Sequence, residues 1–243
     1  MCGGPELIFQ DDPEKADPRF QDASTRRKFI RKVYSILSLQ LAATMAIIAC
    51  FVYIDEIKEY LNAEKSPWVL YIAMGVQIGV MIALSCCEKP RRLFPLNIIL
   101  LSVYTLVQGL FLGILSIYLT KDEILVSVGI TAVIFFVLTI FAMQSRFDFT
   151  TMWVLPLVLG VVLLGLGIAA WLTNIKWLHL AYCGFGIVAF SVYILIDTQM
   201  MIGGKARKLT ISPEDYIYCC LSLYIDVTTM LMYVMSIMRG VRE

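Results

Sequence analysis

The segment Ser212–Met238 reads SPEDYIYCCLSLYIDVTTMLMYVMSIM and decides the fold of this chain. It is apolar enough and, at about 1.5 Å per helical residue, long enough to cross a bilayer. Asp226 lies near its middle, and a second acid, Asp197, lies near the end of the apolar segment before it. An aspartate at the centre of a membrane helix costs roughly 2.5–3.5 kcal/mol, so each acid suggests a function.

The rest of the chain has the composition of a membrane protein. Of its 243 residues, 59% are hydrophobic and 16% are charged, whereas soluble domains average roughly 45–50% and 25%. The apolar residues occur in runs of about 20, which is the length of a transmembrane helix. The net charge of +1 creates no overall field that would attract nucleic acid. We therefore expect a lipid bilayer, and no nucleic acid, among its partners.

Seven hydrophobic segments predict an all-α membrane protein, a seven-transmembrane-helix bundle. They are about Val33–Ile54, Pro67–Cys87, Leu96–Leu119, Ile124–Met143, Thr151–Leu172, Leu178–Ile202 and Ser212–Met238. Residues 1–25 are acidic, contain proline and lack apolar periodicity, which predicts a disordered tail before a transmembrane domain of residues 26–243. Gly203-Gly204 is typical of a helix end, and Ser212-Pro213 of a helix start with Glu214 and Asp215 as capping acids.

The distribution of Lys and Arg predicts the orientation. With the N-terminus in the cytosol, twelve basic residues flank the segments on the cytosolic side and four on the other. The positive-inside rule therefore favours a cytosolic N-terminus. A last segment that spans the membrane fully places Arg239 and Arg242 on the opposite side, whereas a re-entrant segment keeps them in the cytosol. The absence of an internal Gly or Pro favours the full span.

Other motifs indicate packing and no permanently bound cofactor. Gly75 and Gly79 in the second segment, and Gly109 and Gly113 in the third, have the spacing that lets membrane helices approach closely. The seven cysteines form no C-x-x-C motif, which argues against a disulfide framework or a zinc site. The chain also lacks G-x-S-x-G and H-E-x-x-H, and Asp226 lacks the G-x-G-D context of intramembrane aspartyl proteases. We therefore expect that the protein is not an enzyme.

Asp197 and Asp226 are the candidate proton and ion gate. They lie roughly 8 Å and 20 Å from the helix ends that one short loop joins, so direct contact requires helix tilt or displacement. Two carboxyl groups sharing a site of low dielectric cannot both ionise cheaply. Such a pair can hold a proton, or it can offer oxygens to Ca²⁺, which prefers carboxylate ligands and tolerates irregular geometry.

Neighbouring groups extend this hypothesis. Hydroxyl oxygens are available at Thr198, Thr228 and Thr229. The alternative is that the two acids are purely structural and are satisfied by buried partners such as Tyr193 or Tyr224. Arg91 and Arg92, after the second segment, are candidate counter-ions, with an ordinary topological role as the alternative. Gln77 and Gln108, within the second and third segments, either line a water path or bond between helices.

Four stretches of this sequence together resemble one known family. They are FIRKVYSILSLQL at Phe29–Leu41, PRRLFPLNIILL at Pro90–Leu101, IDTQMMIGG at Ile196–Gly204 and SPEDYIYCCLSLYID at Ser212–Asp226. From about Arg26 to the C-terminus the chain resembles the transmembrane Bax-inhibitor-motif family, nearest its Lifeguard and Golgi anti-apoptotic branch.

The resemblance implies a fold in which six helices surround the last one, in Golgi, endoplasmic reticulum or related membranes. It implies a pH-sensitive calcium leak that lowers stored calcium and opposes apoptosis, with calcium as a permeant or transient ligand. Asp197 and Asp226 match the family's carboxylate pair, and Arg91 or Arg92 is nearest to an arginine that pairs with it in relatives. Some relatives carry an acid where Gln77 or Gln108 stands.

Two further hypotheses from different classes stand beside the proton-gated leak channel. One is a non-conducting interaction protein that restrains death signalling through apoptosis-related membrane proteins. The other is an intramembrane hydrolase, which the missing motif disfavours. Calcium flux through the purified protein separates the channel from the interaction protein, and substrate cleavage that depends on Asp197 would identify the hydrolase.

Overall fold

The computed structural model describes residues 7–9, 23–54, 56, 67–152, 154–203 and 209–242, nearly all of them helical. The helices are α1 (Ala23–Tyr53), α2 (Pro67–Cys86), α3 (Glu88–Arg92), α4 (Leu96–Ser116), α5 (Lys121–Gln144), α6 (Val154–Thr173), α7 (Lys176–Ile202) and α8 (Tyr216–Arg242). Short 3-10 turns, Phe149–Met152 and Pro213–Asp215, precede α6 and α8. Two strands, β1 (Leu7–Phe9) and β2 (Leu209–Ile211), complete the described elements.

Six of these helices, α1 and α4 to α8, are long and apolar enough to cross a membrane. This confirms the prediction of an all-helical membrane protein. The second predicted segment forms α2, of which Tyr71–Cys86 is a shorter apolar helix among the residues described. A seventh crossing therefore stays a prediction.

The first helix begins at Ala23, ten residues before the apolar segment predicted to start at Val33. The added part carries the cluster of basic residues, which hydropathy alone does not assign to a membrane helix. Phe29 and Val33 are nevertheless buried in the core, and Lys32 lies over the ring of Tyr216 at the start of α8, 3.3 Å from its centroid. The basic segment is therefore a packed part of the bundle.

The ends of two helices follow ordinary capping rules. Helix α7 ends at Ile202, and Gly203 adopts a φ of 58°, a left-handed conformation that glycine accepts without a Cβ clash. At the start of α5, the Thr120 hydroxyl accepts from the Glu123 amide while the Glu123 carboxylate accepts from the Thr120 amide. The predicted helix stop at Gly203 is confirmed. The predicted cap of the second segment, Ser66, lies outside the described residues.

Helix α8 is the most buried of the six candidate spans. In its most apolar window 72% of the residues are buried, against 11–44% in the other five. It packs against α1, α2, α4, α5 and α7, while α6 packs chiefly against α7. The core around it includes Val33, Leu37, Leu84, Leu101, Phe135, Ile194, Met201, Ile217, Leu221, Tyr224 and Met230.

Helix α8 runs from one end of the bundle to the other. Its start meets α3, and this end is called the α3 end. At its other end, Arg242 forms an ion pair with Glu123 at 3.0 Å, and Arg239 lies over the ring of Tyr118, 4.6 Å from its centroid. That end carries the α4–α5 and α6–α7 turns and is called the loop end. Helix α3 precedes α4 in the chain, and Tyr118 follows α4. Because α8 contacts α3 at one end and Tyr118 at the other, it extends along the whole length of α4, as a full span requires.

The N-terminal segment is partly ordered. Leu7–Phe9 pairs antiparallel with Leu209–Ile211, with Leu7 opposite Ile211 and Phe9 opposite Leu209. The prediction of a disordered tail over residues 1–25 is therefore wrong for these three residues, because β2 offers them an unpaired strand edge. Ala23, Ser24 and Thr25 belong to α1, and the remaining residues of that range lie outside the described part of the chain.

Only one of the two predicted glycine pairs is used for close packing among the described residues. A Cβ added at Gly109 or Gly113 would lie 2.6 Å from Ile47 or 2.5 Å from the ring of Phe51, so these glycines let α4 approach α1. Gly75 and Gly79 have nothing within 4 Å of such an atom. The same spacing therefore packs a helix in α4 and leaves an open surface in α2.

Replacing Gly113 by alanine is expected to lower the free energy of unfolding by about 1–3 kcal/mol, the usual effect of overpacking, because the added Cβ would lie 2.5 Å from the ring of Phe51. Gly79→Ala is the matched control, and it is expected to leave stability unchanged or to increase it, since alanine has the higher helix propensity. Unfolding of both variants by SDS in mixed micelles measures the difference. Equal stability of the two variants would contradict the packing role of Gly113.

Candidate functional site

The two predicted acids lie on neighbouring helices and are linked through a serine. Asp197 is half-buried on α7, and its Oδ2 accepts a hydrogen bond from the Ser222 hydroxyl on α8. Ser222 lies four residues before Asp226, so both project from the same face of α8, about 6 Å apart along its axis. The Ser222 hydroxyl therefore links Asp197 to the turn of α8 that precedes Asp226.

This arrangement explains how acids at different predicted depths come together. Asp197 lies at the level of Ser222, about one helical turn nearer the α3 end than Asp226. Helix α8 begins only at Tyr216, because the first residues of the predicted helix form the 3-10 turn Pro213–Asp215. The depth difference estimated from the sequence therefore shrinks to about one turn.

Asp226 is a buried carboxyl group with unused hydrogen-bonding capacity. Its side chain is only 5% exposed, and its Oδ2 has no hydrogen-bond partner in the described part of the chain. The partners suggested for a purely structural acid are engaged elsewhere: Tyr193 donates to the Pro156 carbonyl at 2.8 Å, and the Tyr224 hydroxyl bonds to Thr44 at 2.6 Å. The structure therefore does not offer Asp226 those partners.

Thr198, beside Asp197 on α7, lies in a cluster of three buried hydroxyl groups. The Tyr34 hydroxyl on α1 lies next to the hydroxyls of Thr139 on α5 and Thr198. None of these three oxygens makes a hydrogen bond of ordinary geometry among the described residues, so any bonds within the cluster are weak. The cluster places three oxygens with spare hydrogen-bonding capacity next to the Asp197 position. Thr229, also a predicted oxygen donor, is half-buried on α8.

Gln77, Gln108 and Thr228 form a second polar chain on another face of α8. The Gln77 amide donates to Gln108 and, at 3.1 Å, to the Tyr104 hydroxyl, and Gln108 donates to Thr228 at 3.3 Å. Thr228 lies about 200° around the helix from Asp226, so this chain faces away from the acid. Of the two roles left open for the glutamines, the structure shows the bonds between helices.

Two further hydrogen bonds near this chain of polar side chains join residues that the sequence did not suggest as partners. Gln40 on α1 donates to Thr105 on α4 at 2.9 Å, and Thr44 bonds to Tyr224 one turn further on. Pairs of polar residues on separate apolar helices carry no sequence signal that identifies their partners. The polar spacing of Gln40 and Thr44 within α1, which puts both on one face, was the available hint.

The prediction that Arg91 or Arg92 is a counter-ion of the aspartate pair is wrong in this structure. The Arg91 Nε donates to Asp215 Oδ1 at 2.9 Å, and the Arg92 Nε donates to the same oxygen at 3.0 Å. Arg91 is 1% exposed and Asp215 is fully buried. Asp215, predicted only as a capping acid, is therefore the shared partner of both arginines. It lies about 16 Å from Asp226 along the axis of α8.

The reason for this correction is the short helix α3. Glu88–Arg92 folds after the end of α2 and holds both arginines at the α3 end of the bundle, where Arg91 also donates to the Ser85 carbonyl at 3.2 Å. The Asn97 side chain donates to the Arg91 carbonyl at 3.2 Å and fixes the chain as it enters α4. The arginines thus fasten the α2–α4 connection to the start of α8.

The described residues contain no group of three or more His, Cys, Asp and Glu side chains that could hold a metal ion. A calcium ion at Asp197 and Asp226 would therefore have two carboxyl groups and neighbouring hydroxyl or carbonyl oxygens as ligands. Such a small ligand set suits an ion in transit better than a resident one, because resident Ca²⁺ usually has 6–8 oxygen ligands.

Comparison with known proteins gives consistent results over nearly the whole chain. The family described as "Inhibitor of apoptosis-promoting Bax1" matches residues 26–243. The chain is 39% identical over 223 residues to Protein lifeguard 3 of Homo sapiens, which covers 90% of this chain and 70% of the relative. It is 37% identical over 222 residues to Protein lifeguard 3 of Mus musculus, with 90% and 71% covered. It is 29% identical over 215 residues to the Golgi anti-apoptotic protein of Vaccinia virus (strain Lister), with 88% and 86% covered.

Proposed function

Because this chain belongs to the family described as inhibitors of apoptosis-promoting Bax1, we propose that it opposes apoptosis as a pH-sensitive calcium leak of intracellular membranes. The observation that carries the proposal is Asp226, a carboxyl group enclosed in the bundle with one oxygen that has no hydrogen-bond partner among the residues described. Asp197, bonded to Ser222 one turn away, is the second member of the gate. The name of the viral relative, Golgi anti-apoptotic protein, supports a location in Golgi or related membranes.

The physical basis of the gate is the free energy of charge inside the bundle. An ionised carboxylate without partners is costly in a low-dielectric interior, and two such charges one turn apart repel each other. The closed state therefore holds the pair with a proton. Loss of that proton leaves negative charge on α7 and α8, loosens the packing between them and attracts a hydrated cation. Calcium is favoured because carboxylate oxygens are the ligands that it prefers.

The proposed topology has seven crossings, with α2 as the second and α8 as the last. The N-terminus and the α3 end face the cytosol, where the positive-inside rule puts the basic residues of α1 and α3. The loop end faces the organelle lumen. Helix α8, enclosed by its neighbours, is then shielded from lipid, as a membrane helix with a central acid requires.

The test is calcium flux through purified protein in proteoliposomes. The native protein is expected to leak calcium at a rate that depends on pH. Asp226→Asn is expected to abolish this leak, because the amide cannot ionise and therefore keeps the pair in its uncharged, closed state. Asp122→Asn, which neutralises an exposed acid at the start of α5, is the matched control and is expected to behave as the native protein.

Two outcomes would contradict the proposal. A pH-dependent leak that persists in Asp226→Asn would show that the acid does not gate calcium. A native protein that leaks no calcium, together with a variant neutral at both Asp197 and Asp226 that still protects cells, would favour the non-conducting interaction protein instead.

A further inference from the structure

Two tyrosines join α7 and α8 on the loop side of the aspartate pair. Tyr233 follows Asp226 by seven residues, so it projects from the same face of α8, about two turns or 10 Å nearer the loop end. Its hydroxyl bonds to the Tyr182 hydroxyl at 3.0 Å, and the two rings meet edge to face with their centroids 5.3 Å apart. The pair is called the tyrosine bridge.

The surrounding residues hold the bridge in place. Tyr233 is 6% exposed and packs directly on Gly186 of α7, where an added Cβ would lie 2.6 Å from its ring. Phe190 lies one turn further along α7, 5.9 Å from Tyr233 between ring centroids. Between the bridge and Asp226, the same face of α8 carries the buried Met230, whose sulfur accepts a weak bond from the Ser191 hydroxyl at 3.9 Å.

Two cavities flank the tyrosine bridge. One, of about 790 Å³, lies between α6 and α7 and is lined by residues that include Gly167, Trp171 and Asn174. The other, of about 550 Å³, lies among α2, α4, α7 and α8. Both are lined by His179, Tyr182 and Tyr233, so the bridge is a common wall of the two. The cavity between α6 and α7 is also lined by Phe190 and Tyr193, so it continues past the bridge toward the depth of Asp226. The cavity among α2, α4, α7 and α8 stops at the bridge, and the buried Met230 lies between the bridge and Asp226.

We propose that the hydrogen bond between Tyr182 and Tyr233 is the closure between Asp226 and the cavity among α2, α4, α7 and α8. The inference rests on the proposed calcium leak and adds a second barrier to it. The aspartates respond to protons, and the tyrosine bridge holds α7 and α8 together nearer the loop end than the aspartates. Breaking the bond allows the two helices to separate at this level and connects the acid to the cavity among α2, α4, α7 and α8.

Phenylalanine substitutions test the bond and keep both rings. Tyr182→Phe and Tyr233→Phe are each expected to raise the calcium leak in proteoliposomes at neutral pH by about two- to tenfold, the shift in an equilibrium produced by one ordinary hydrogen bond. The double variant is expected to leak no faster than either single variant, since both remove the same bond. Tyr104→Phe, which removes a tyrosine hydroxyl bonded to Gln77 on another face of the bundle, is the matched control and is expected to leave the leak unchanged.

Chemical labelling supplies a readout that does not depend on flux. A cysteine introduced as Met230→Cys is expected to react with a membrane-impermeant thiol reagent faster in the Tyr233→Phe background than in the native background. Mass spectrometry of the peptide that carries residue 230 separates this reaction from that of the native cysteines. Thermal unfolding in detergent confirms that each variant is folded.

The outcomes distinguish the bridge from the gate. If both phenylalanine variants leak calcium and are labelled at the native rates while Asp226→Asn does not leak, the proposed closure is wrong and the aspartate gate still holds. If Asp226→Asn leaks as the native protein does, the proposed function fails, and the labelling rate of residue 230 alone decides whether the bridge controls access. A faster leak in Tyr233→Phe that Asp226→Asn abolishes supports both.

Discussion

Asp215→Ala is expected to lower the free energy of unfolding by about 3–5 kcal/mol, the usual effect of removing one partner of a buried ion pair. The substitution removes the carboxylate that Arg91 and Arg92 share and leaves the Arg91 guanidinium, 1% exposed, without that anion. It also separates the start of α8 from α3. Unfolding by SDS in mixed micelles measures the loss.

Glu214→Ala is the matched control for this prediction. Glu214 is the adjacent acid and also faces Arg92, at 3.4 Å, but it is 47% exposed. Exposed ion pairs contribute little, so a change within about 1 kcal/mol is expected. Combining Arg91→Met with Asp215→Ala is expected to recover part of the stability, because no uncompensated charge then stays buried at residue 91. Equal losses in Asp215→Ala and Glu214→Ala would show that burial gives Asp215 no special role.

Asp226→Val is expected to have the opposite effect and to raise the free energy of unfolding by about 1–3 kcal/mol, the usual cost of a buried polar group that lacks a partner. Valine is close in volume to aspartate and has no polar side-chain atom, so it suits the apolar neighbours of α8. The same variant is expected to lose the pH-dependent calcium leak. Stability and activity would then change in opposite directions at one residue, as they do where a function requires an unfavourable group.

Asp122→Val controls for the general effect of removing an acid. Asp122 is exposed in the first turn of α5, where a negative charge interacts favourably with the helix dipole, so a loss of less than about 1 kcal/mol is expected. Both variants are compared by SDS unfolding at one pH. If Asp226→Val instead destabilised the protein by several kcal/mol, Asp226 would be a structural acid with a satisfied partner, and the gate would lose its physical basis.

The sequence predicted those parts of the molecule that depend on local pattern. The length and apolar character of α8 follow from its composition, and the end of α7 at Gly203 follows from the conformational freedom of glycine. That α7 and α8 are neighbours follows from the short loop between them, whereas the approach of Asp197 to the face of α8 that carries Asp226 does not. The predicted features are encoded within a few residues of where they act.

Features that depend on which faces of two helices meet could not be read from the sequence. The glycine pairs of α2 and α4 have identical spacing, yet only Gly109 and Gly113 contact another helix among the described residues. The sequence pointed from Arg91 to the aspartate pair and not to Asp215, because the position of Arg91 depends on the short helix α3, which has no apolar pattern that would predict it. The Tyr182–Tyr233 bond joins residues 51 positions apart, and each tyrosine alone resembles an ordinary core aromatic.

Helix α8 is fastened at its start through Asp215 and near its last turn through Arg239 and Arg242. A rod restrained at both tips resists sliding along its own axis, because any axial shift would strain one attachment or the other. Opening of the proposed channel by axial sliding of α8 is therefore disfavoured. The motion that these attachments leave open is a sideways separation of α8 from the α6–α7 hairpin, whose inner helix α7 makes the most extensive contact with α8.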